Sequence, residues 1–297
     1  MKQDPILSIA IHNGKESYAP LVQNLVKSIL VCNEGTSIEL ILIESAGNKR
    51  IREWFSALDL ERDFVNFDGS KTSIQKQVNT DVKKKLLFID YPDDLPWYTC
   101  YQDATREALR ASAGQYFVFM AEDNQFAVVG NLLEECVNLL EHLGKHKSMI
   151  SLSTVPRYKL QKANNRRKSV SEFLGIEYYQ SVEVKWDPTY ICHKDLFQRL
   201  GPMALSDPEK HHRAIEYMTS RARIIEATRY FPAVAPNVWC EESYKKRNIE
   251  IIQHMTRINP DFLLFSPITK QAALEVYNTR YRPVGCPIDT NFFQDRS

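Results

Sequence analysis

Short apolar runs alternate with helical-period stretches through the first half of the chain. Ile6 to Ile11 is a β-rich run that ends at His12-Asn13-Gly14. Leu21, Val22, Leu25, Val26, Ile29 and Leu30 then recur at the spacing of one helix face. Ile38 to Ile43 predicts a second strand, ending at Glu44-Ser45-Ala46-Gly47-Asn48, and a helix through Trp54, Phe55 and Leu58 follows it. After a polar connection rich in Lys and Asp, Leu86 to Ile89 predicts a third strand, closed by Tyr91-Pro92-Asp93-Asp94. Asp103 to Ser112 reads as a helix with Ala104, Ala108 and Leu109 inward and Gly114 as its stop. Tyr116 to Met120 carries no charge and fits a pleated interior, and it runs straight into Ala121-Glu122-Asp123-Asn124. Another amphipathic helix spans Val128 to Leu140. Strands alternating with helices predict βαβ units and a mostly parallel central sheet flanked by helices.

The second half is less regular. Met149 to Leu152 reads as a strand, Pro156 to Lys168 as a polar basic segment, and Val182 to Trp186 as a half-exposed strand. Helices are expected over Lys194 to Leu200, Pro208 to Ala222 and Tyr244 to Arg257. No internal repeat or linker stands out, so one large α/β domain with embellishments is expected, and any boundary near residue 145 is soft.

Composition narrows the class. The chain has 297 residues, 43% of them hydrophobic and 25% charged, as in an ordinary globular enzyme. Lys+Arg 38 against Asp+Glu 37 gives a net charge of +1, so no global field draws the chain onto nucleic acid. The six cysteines are scattered without a CxxC pair, which points to reduced thiols and a cytoplasmic setting. No apolar stretch is long enough to span a bilayer, and the run after Pro5 is too short for a signal peptide.

Candidate chemistry sits at the strand ends, because in a parallel sheet they converge on one edge. His12-Asn13, Glu44-Ser45, Asp90 with Asp93-Asp94, and Glu122-Asp123-Asn124 each follow a predicted strand. A carboxylate-rich crevice of this kind suits a nucleotide with a divalent cation bridging its phosphates. Polar residues also follow strands simply because loops are wet, so the repetition carries more than any one cluster.

At this point the order of motifs resembles a known family. Leu7 to Asn13 followed by a helix is similar to the opening strand of family-2 glycosyltransferases of the GT-A fold. Glu39 to Asn48 resembles that family's second strand and its acid-plus-Gly loop. Ala104 to Gly114 leading into Tyr116 to Asp123 resembles its helix, Gly, aromatic strand and Asp-x-Asp sequence. Ile191 to Gly201 looks like the segment beside the acceptor site, and Glu216 with Arg223 resembles the Glu-Asp motif and the Arg following it on the same helix. The likeness covers about residues 5 to 240.

The resemblance implies a GT-A domain over 1–240, with a nucleotide-binding half to about 127 and an acceptor half beyond it, then a helical extension over 241–297. It implies transfer of a sugar, with inversion, from a nucleotide-diphospho-sugar donor to a glycan, lipid-linked or other hydroxyl acceptor. Glu44 would bind the base or ribose, with His12, Asn13, Asp94 and Glu122 beside the donor. Asp123 would ligate Mg²⁺ or Mn²⁺, Arg157 would approach the diphosphate and Glu216 would act as base. Two positions depart from the pattern. Ala121 stands where the first metal-site Asp is expected, and Tyr217 stands where the base is usual.

Arg157, Lys159, Lys162, Arg166, Arg167 and Lys168 form a local basic cluster suited to a diphosphate, an anionic acceptor or the surface of a membrane, as well as to plain solvation. His211-His212 does not make a zinc site, since adjacent helical residues diverge by about 100°. His193 reads as a polar loop histidine. Trp97, Trp186 and Trp239 are candidates to stack on a sugar ring, whereas Trp54 reads as core. Two other readings stay open: a catalytically silent GT-A-fold binding protein, favoured by Ala121 and Tyr217, and a Rossmann-like methyltransferase. Against the latter, only Gly14 follows the first strand, without a Gly-x-Gly turn. A homodimer and peripheral membrane contact are both compatible with the sequence, and nucleic acid is not an expected partner.

Overall fold

The apolar run after Pro5 forms β1 (Leu7–Asn13), and every one of its residues is buried. A strand covered on both faces belongs at the centre of a sheet. β1 pairs in parallel with β2 (Ile38–Glu44) on one side and with β4 (Tyr116–Met120) on the other. The computed structural model describes residues 5–33, 35–58, 81–126, 130–152, 171–181, 189–200, 222–227 and 234–236.

Within these residues β3 (Val82–Phe88) continues the sheet outward from β2. Beyond β4 come β9 (Tyr190–His193), β6 (Ser148–Ser151), β10 (Arg223–Ala227), β8 (Ile176–Ser181) and β7 (Ser171–Phe173). β3, β2, β1, β4, β6, β10 and β7 all run one way, and only β9 and β8 run against them. A two-stranded ribbon joins β5 (Asn124–Phe126) to β11 (Val234–Pro236). The expected α/β architecture is therefore present, with a central, mostly parallel sheet.

Alternation along the strands divides the core in two. Leu7, Ile9 and Ile11 face one side, with Leu40, Leu42, Val118 and Met120. Against them pack α1 (Ala19–Cys32), α2 (Lys49–Ala57) and α4 (Leu132–Leu143), through Val22, Leu25, Ile51, Phe55, Leu133 and Val137. Ala10, Ile41, Ile43, Phe117 and Phe119 face the other side, against α3 (Trp97–Ala111) and α5 (Lys194–Leu200). Ala104 and Ala108 of α3 are fully buried in the same cluster as Ala10. Small residues at such a contact allow a helix to lie close to the sheet. Among the described residues no helix is long and apolar enough to cross a membrane.

Several expectations need correction. β3 begins at Val82, not Leu86, and takes in Lys83, Lys84 and Lys85. Lys84 Nζ donates to the carbonyls of Phe55, Ser56 and Leu58 at the end of α2, at 3.2, 3.0 and 3.1 Å. Lys85 Nζ donates to the carbonyl of Ala111, the last residue of α3. The final carbonyls of a helix lack intrahelical donors and carry its negative dipole end, so each ammonium neutralises one helix terminus. The lysine run resembled a loop only because those termini are invisible in sequence. α3 likewise starts at Trp97, six positions before the expected Asp103, directly after Pro96. The short hairpin of β7 and β8 was not anticipated. Its turn residues Leu174 and Gly175 both have positive φ, 50° and 75°, where a turn of this kind normally uses Asn-Gly. Arg223 does not lie on a helix with Glu216, because it opens β10 and pairs in parallel with Ser148. The expected segments at 156–168, 182–186, 208–221 and 241–297 lie outside the described residues.

Gly114 matters for a different reason from the one expected. α3 ends at Ala111, with extended backbone at Ser112 (φ −68°, ψ 138°), so Gly114 is no left-handed helix cap. It sits against β1 instead. A Cβ there would lie 2.6 Å from Ser8 N and 2.7 Å from the Leu7 carbonyl carbon, both rigid backbone. The same corner holds a buried polar network. Ser8 Oγ donates to Glu39 Oε2 at 2.6 Å, the Ala113 amide donates to it at 2.7 Å, and Lys85 Nζ lies 3.0 Å from Glu39 Oε1. Burial alone would raise the Glu39 pKa, but these hydrogen bonds and the Lys85 charge outweigh it and hold the carboxyl below its ordinary value.

Gly114→Ala is expected to destabilise the protein by about 1–3 kcal/mol, since the clash is with backbone that cannot rotate away. Urea unfolding should show a lower midpoint with an unchanged slope. An unaltered midpoint would mean that the approach to β1 relaxes without strain.

Candidate functional site

The parallel register brings the strand ends to one edge. Asn13, the last residue of β1, pairs with Glu44, the last of β2, and Glu44 pairs with Phe88, the last of β3. On the other side the final β1–β4 pair is Ile11 with Met120, so the turn Ala121–Asn124 follows at the level of His12 and Asn13. Of the expected donor-site residues, His12, Asn13, Glu44, Glu122 and the metal-site candidate Asp123 thus converge on this edge. Open α/β sheets bind ligands in the crevice outside the carboxyl ends of their strands.

Alternation then splits His12 from Asn13. His12 lies on the α3 face with Ala10, whereas Asn13 lies on the opposite face, together with its neighbour Glu44. His12 Nε2 shares a 2.7 Å hydrogen bond with Ser45 Oγ. Its ring meets Tyr101 of α3 edge-on at 6.2 Å, and Tyr101 in turn meets Phe119 at 4.6 Å. Burial pushes the His12 pKa down to about 4, so the ring is neutral at physiological pH. A neutral imidazole offers a hydrogen bond, and it does not offer a positive charge for phosphate.

Glu44 is 0% exposed. Its Oε1 accepts the amides of Ala46 and Asn48 at 2.8 and 2.9 Å. Gly47, at φ +69°, allows the chain to curl so that both amides reach one oxygen. Asn48 then caps α2 by accepting the Ile51 amide at 3.2 Å. Glu44 Oε2 lies 3.5 Å from Arg52 Nε, an ion-pair distance, yet no donor meets it in hydrogen-bond geometry. Arg52 also lies over the Phe88 ring, 4.6 Å from its centroid, and Phe88 is exposed. One oxygen of Glu44 therefore builds the loop while the other keeps acceptor capacity.

Asn13 is the most telling residue. It is also 0% exposed, and neither its Nδ2 nor its Oδ1 has a hydrogen-bond partner. Gln125, after the turn on β5, shows the same condition at both amide atoms. Leaving a buried amide unpaired costs about 1–3 kcal/mol per group, so such groups call for a partner beyond the chain.

Glu122 and Asp123 are partly exposed, and Asn124 Nδ2 donates to Asp123 Oδ1 at 3.3 Å. A Mg²⁺ or Mn²⁺ ion completed by substrate phosphates needs only one or two carboxylates, so this donor set fits such an ion. Asp94 is exposed on the turn closed by the hydrogen bond from the Leu95 amide to the Pro92 carbonyl. Arg157 and Glu216 lie outside the described residues.

Some residues escaped the sequence reading. Tyr101 positions His12 together with Ser45, a residue already named in the strand-end cluster, and Arg52 faces Glu44. Tyr91 donates to Asp103 Oδ2 at 3.1 Å, and burial together with that carboxylate pushes its phenol well above the ordinary range. Tyr101 had a sequence signal, since Tyr101, Ala104 and Ala108 share the helical spacing of the inward face.

No family model matches the chain, and no curated protein sequence matches it. Among solved structures it is similar to S. aureus TarS residues 1–349 in complex with UDP-GlcNAc, with a TM-score of 0.45, 12% identity and coverage of 93% of this chain and 76% of that one. It is also similar to the mannosyltransferase PcManGT from Pyrobaculum calidifontis in complex with GDP-Man and Mn²⁺. There the TM-score is 0.47, the identity 14%, and the coverage 94% of this chain and 71% of that one. At values this low the likeness is one of chain path, and the chemistry has to be argued from the residues of the site.

The His12 titration has a definite sign. Between the unfolded value of 6.5 and the folded value of about 4, the unfolded chain binds a proton that the folded one refuses. Stability is therefore expected to fall as pH drops from about 6.5 to about 4 and then to level off, as far as this residue is concerned. Urea midpoints measured across that window should lose the corresponding slope in His12→Phe. An equal slope in both proteins would show that the folded ring takes up protons freely.

Proposed function

We propose that the chain is a glycosyltransferase of the GT-A type, moving a sugar with inversion from a nucleotide-diphospho-sugar to a glycan, lipid-linked or other hydroxyl acceptor. The observation that carries this reading is the unpaired, fully buried amide of Asn13, set beside the Glu44 carboxylate at the carboxyl edge of the sheet. One donor and one acceptor next to a carboxylate suit the hydrogen-bonding edge of a nucleobase or a ribose. The order of motifs resembling family-2 glycosyltransferases supplies the sugar-transfer part of the reading.

In this scheme Asn13 and Glu44 hold the nucleoside. Asp123, with Glu122 adjacent, would hold Mg²⁺ or Mn²⁺, and such an ion would offset the charge that the leaving diphosphate gains. Arg157 and its basic neighbours add charge on the same group. Glu216 accepts the proton of the acceptor hydroxyl while that oxygen attacks the anomeric carbon from the face opposite the diphosphate. The bond to the diphosphate breaks as the new glycosidic bond forms, which inverts the centre. The setting is cytoplasmic, with the basic cluster available for peripheral contact with a membrane surface or an anionic acceptor.

A second reading, a silent member of the same fold that binds nucleotide-sugar without transferring it, is favoured by Ala121. That residue is only 9% exposed and supplies no ligand where an acid is expected. Turnover separates the two: release of nucleoside diphosphate from any donor in a UDP-, GDP- and CDP-sugar panel supports transfer, and binding without release supports the silent form. Stabilisation by an S-adenosyl ligand alone would sink both.

Asn13→Leu is expected to keep or raise stability by about 1–2 kcal/mol, because an apolar isostere removes two unpaired groups. The same change should weaken nucleotide-sugar binding at least tenfold by isothermal calorimetry, and unchanged affinity would remove Asn13 from the site. Asp123→Ala is expected to abolish the Mn²⁺-dependent part of the thermal shift caused by the nucleotide. A shift of undiminished size in that variant would place the cation elsewhere.

A further inference from the structure

On the opposite edge of the sheet, three ligand-type side chains from separate segments meet. His193 ends β9, Asp195 follows it in the first turn of α5, and His146 comes from the turn between α4 and β6. His193 pairs in register with Tyr116, the first residue of β4, whereas the candidate nucleotide site follows Met120, the last. Four residues of strand separate the two levels, about 13 Å at the usual rise. The two sites do not overlap.

Among the described residues this is the one group of three or more His, Cys, Asp or Glu side chains whose ligand atoms all lie within 4.8 Å of one another. His146 Nδ1 lies 3.8 Å from Asp195 Oδ2, and His193 Nδ1 lies 3.6 Å from the same oxygen. The two imidazole rings are 4.5 Å apart between centroids and inclined at 67°. In a tetrahedral zinc site with bonds of 2.0–2.1 Å, neighbouring ligand atoms stand about 3.3 Å apart. The two imidazole-to-carboxylate separations exceed that spacing by about 0.5 Å or less, and rotation of the exposed His146 and Asp195 side chains would bring the set together.

The scaffold beneath is firm where it needs to be. His193 is the least exposed member, partly buried, anchored by sheet pairing and set edge-on against Tyr116 at 5.5 Å. His146 and Asp195 are exposed and have room to adjust. Arg199 Nη2 donates to the His146 carbonyl at 2.5 Å, and the Lys147 amide donates to the Gly144 carbonyl at 3.0 Å, which together hold the turn. The Asp195 amide donates to His193 Nδ1 at 3.3 Å, a long bond that a metal would replace. Nearby Lys145 is paired with Glu141 at 2.9 Å, which tempers its repulsion of a cation.

We propose that His146, His193 and Asp195 form a zinc-binding site that ties the turn between α4 and β6 to the start of α5. Two imidazoles and one carboxylate match the borderline preference of Zn²⁺, and water completes the tetrahedron. The site serves to clamp the half of the sheet around β9, independently of whatever the nucleotide edge binds.

The test uses the full chain, stripped with EDTA and then titrated with ZnCl₂. Zn²⁺ at about a hundredfold over its Kd is expected to raise Tm by roughly 5 °C, with one zinc per chain by mass spectrometry of the metal. The exposed positions allow substitution without disturbing the core. His146→Ala and Asp195→Asn should each leave the metal-free Tm unchanged and weaken zinc binding roughly tenfold or more. Asp123→Ala should keep the full zinc response, which separates this site from the expected cation at the nucleotide edge. Loss of the response in Asp123→Ala, or its persistence in the His146→Ala, Asp195→Asn double variant, would overturn the proposal. So would the absence of stoichiometric zinc in the unaltered chain.

Discussion

Everything in this molecule is arranged around the complete burial of β1. A strand that pairs in parallel on both sides and is covered by helices on both faces has no place for a polar side chain in its middle. Polarity is driven to its two ends, and both ends are used. At the start, Ser8 joins Glu39, Lys85 and the backbone after α3 in one closed network. At the end, His12 and Asn13 emerge between the loops that follow β2 and β4. The first cluster is satisfied internally and holds the fold. The second leaves the Asn13 amide without a partner in the chain, which is the observation the proposed ligand site rests on.

The same economy governs the lysines. Lys84 and Lys85 are neighbours on an outer strand, so their side chains leave from opposite faces. Each reaches the carbonyl end of a different helix, Lys84 that of α2 and Lys85 that of α3. Two adjacent charges thereby lock helices on both layers to one strand. Glu44 works in a comparable way at the carboxyl edge of the sheet. One oxygen shapes the loop that leads to α2, and the other lies 3.5 Å from Arg52 Nε with acceptor capacity left over.

Much of the first half was legible from periodicity. Apolar runs announced β1, β2 and β4, and helical spacing announced α1 and the inner face of α3, because a buried strand and an amphipathic helix write different patterns. Boundaries were less legible wherever a polar residue was satisfied from a distance. The lysines of β3 looked like a loop because their acceptors lie on α2 and α3, far away in sequence. Gly114 looked like a helix stop, since a glycine needed for close backbone approach has the same letter as one needed for positive φ. Arg223 looked helical because no local pattern reveals that β10 pairs with β6.

Sequence alone determined that this is an α/β protein whose acids and amides follow its strands, since hydrophobic periodicity and strand-end polarity are local properties. Only the tertiary structure decided which of those residues share a face. Register placed Asn13 beside Glu44 and, through alternation, turned His12 away toward α3, where burial makes it neutral. It also brought His146 to His193 and Asp195 across more than forty residues of chain. Such meetings depend on strand order and on the direction of β9, which no spacing along the chain encodes.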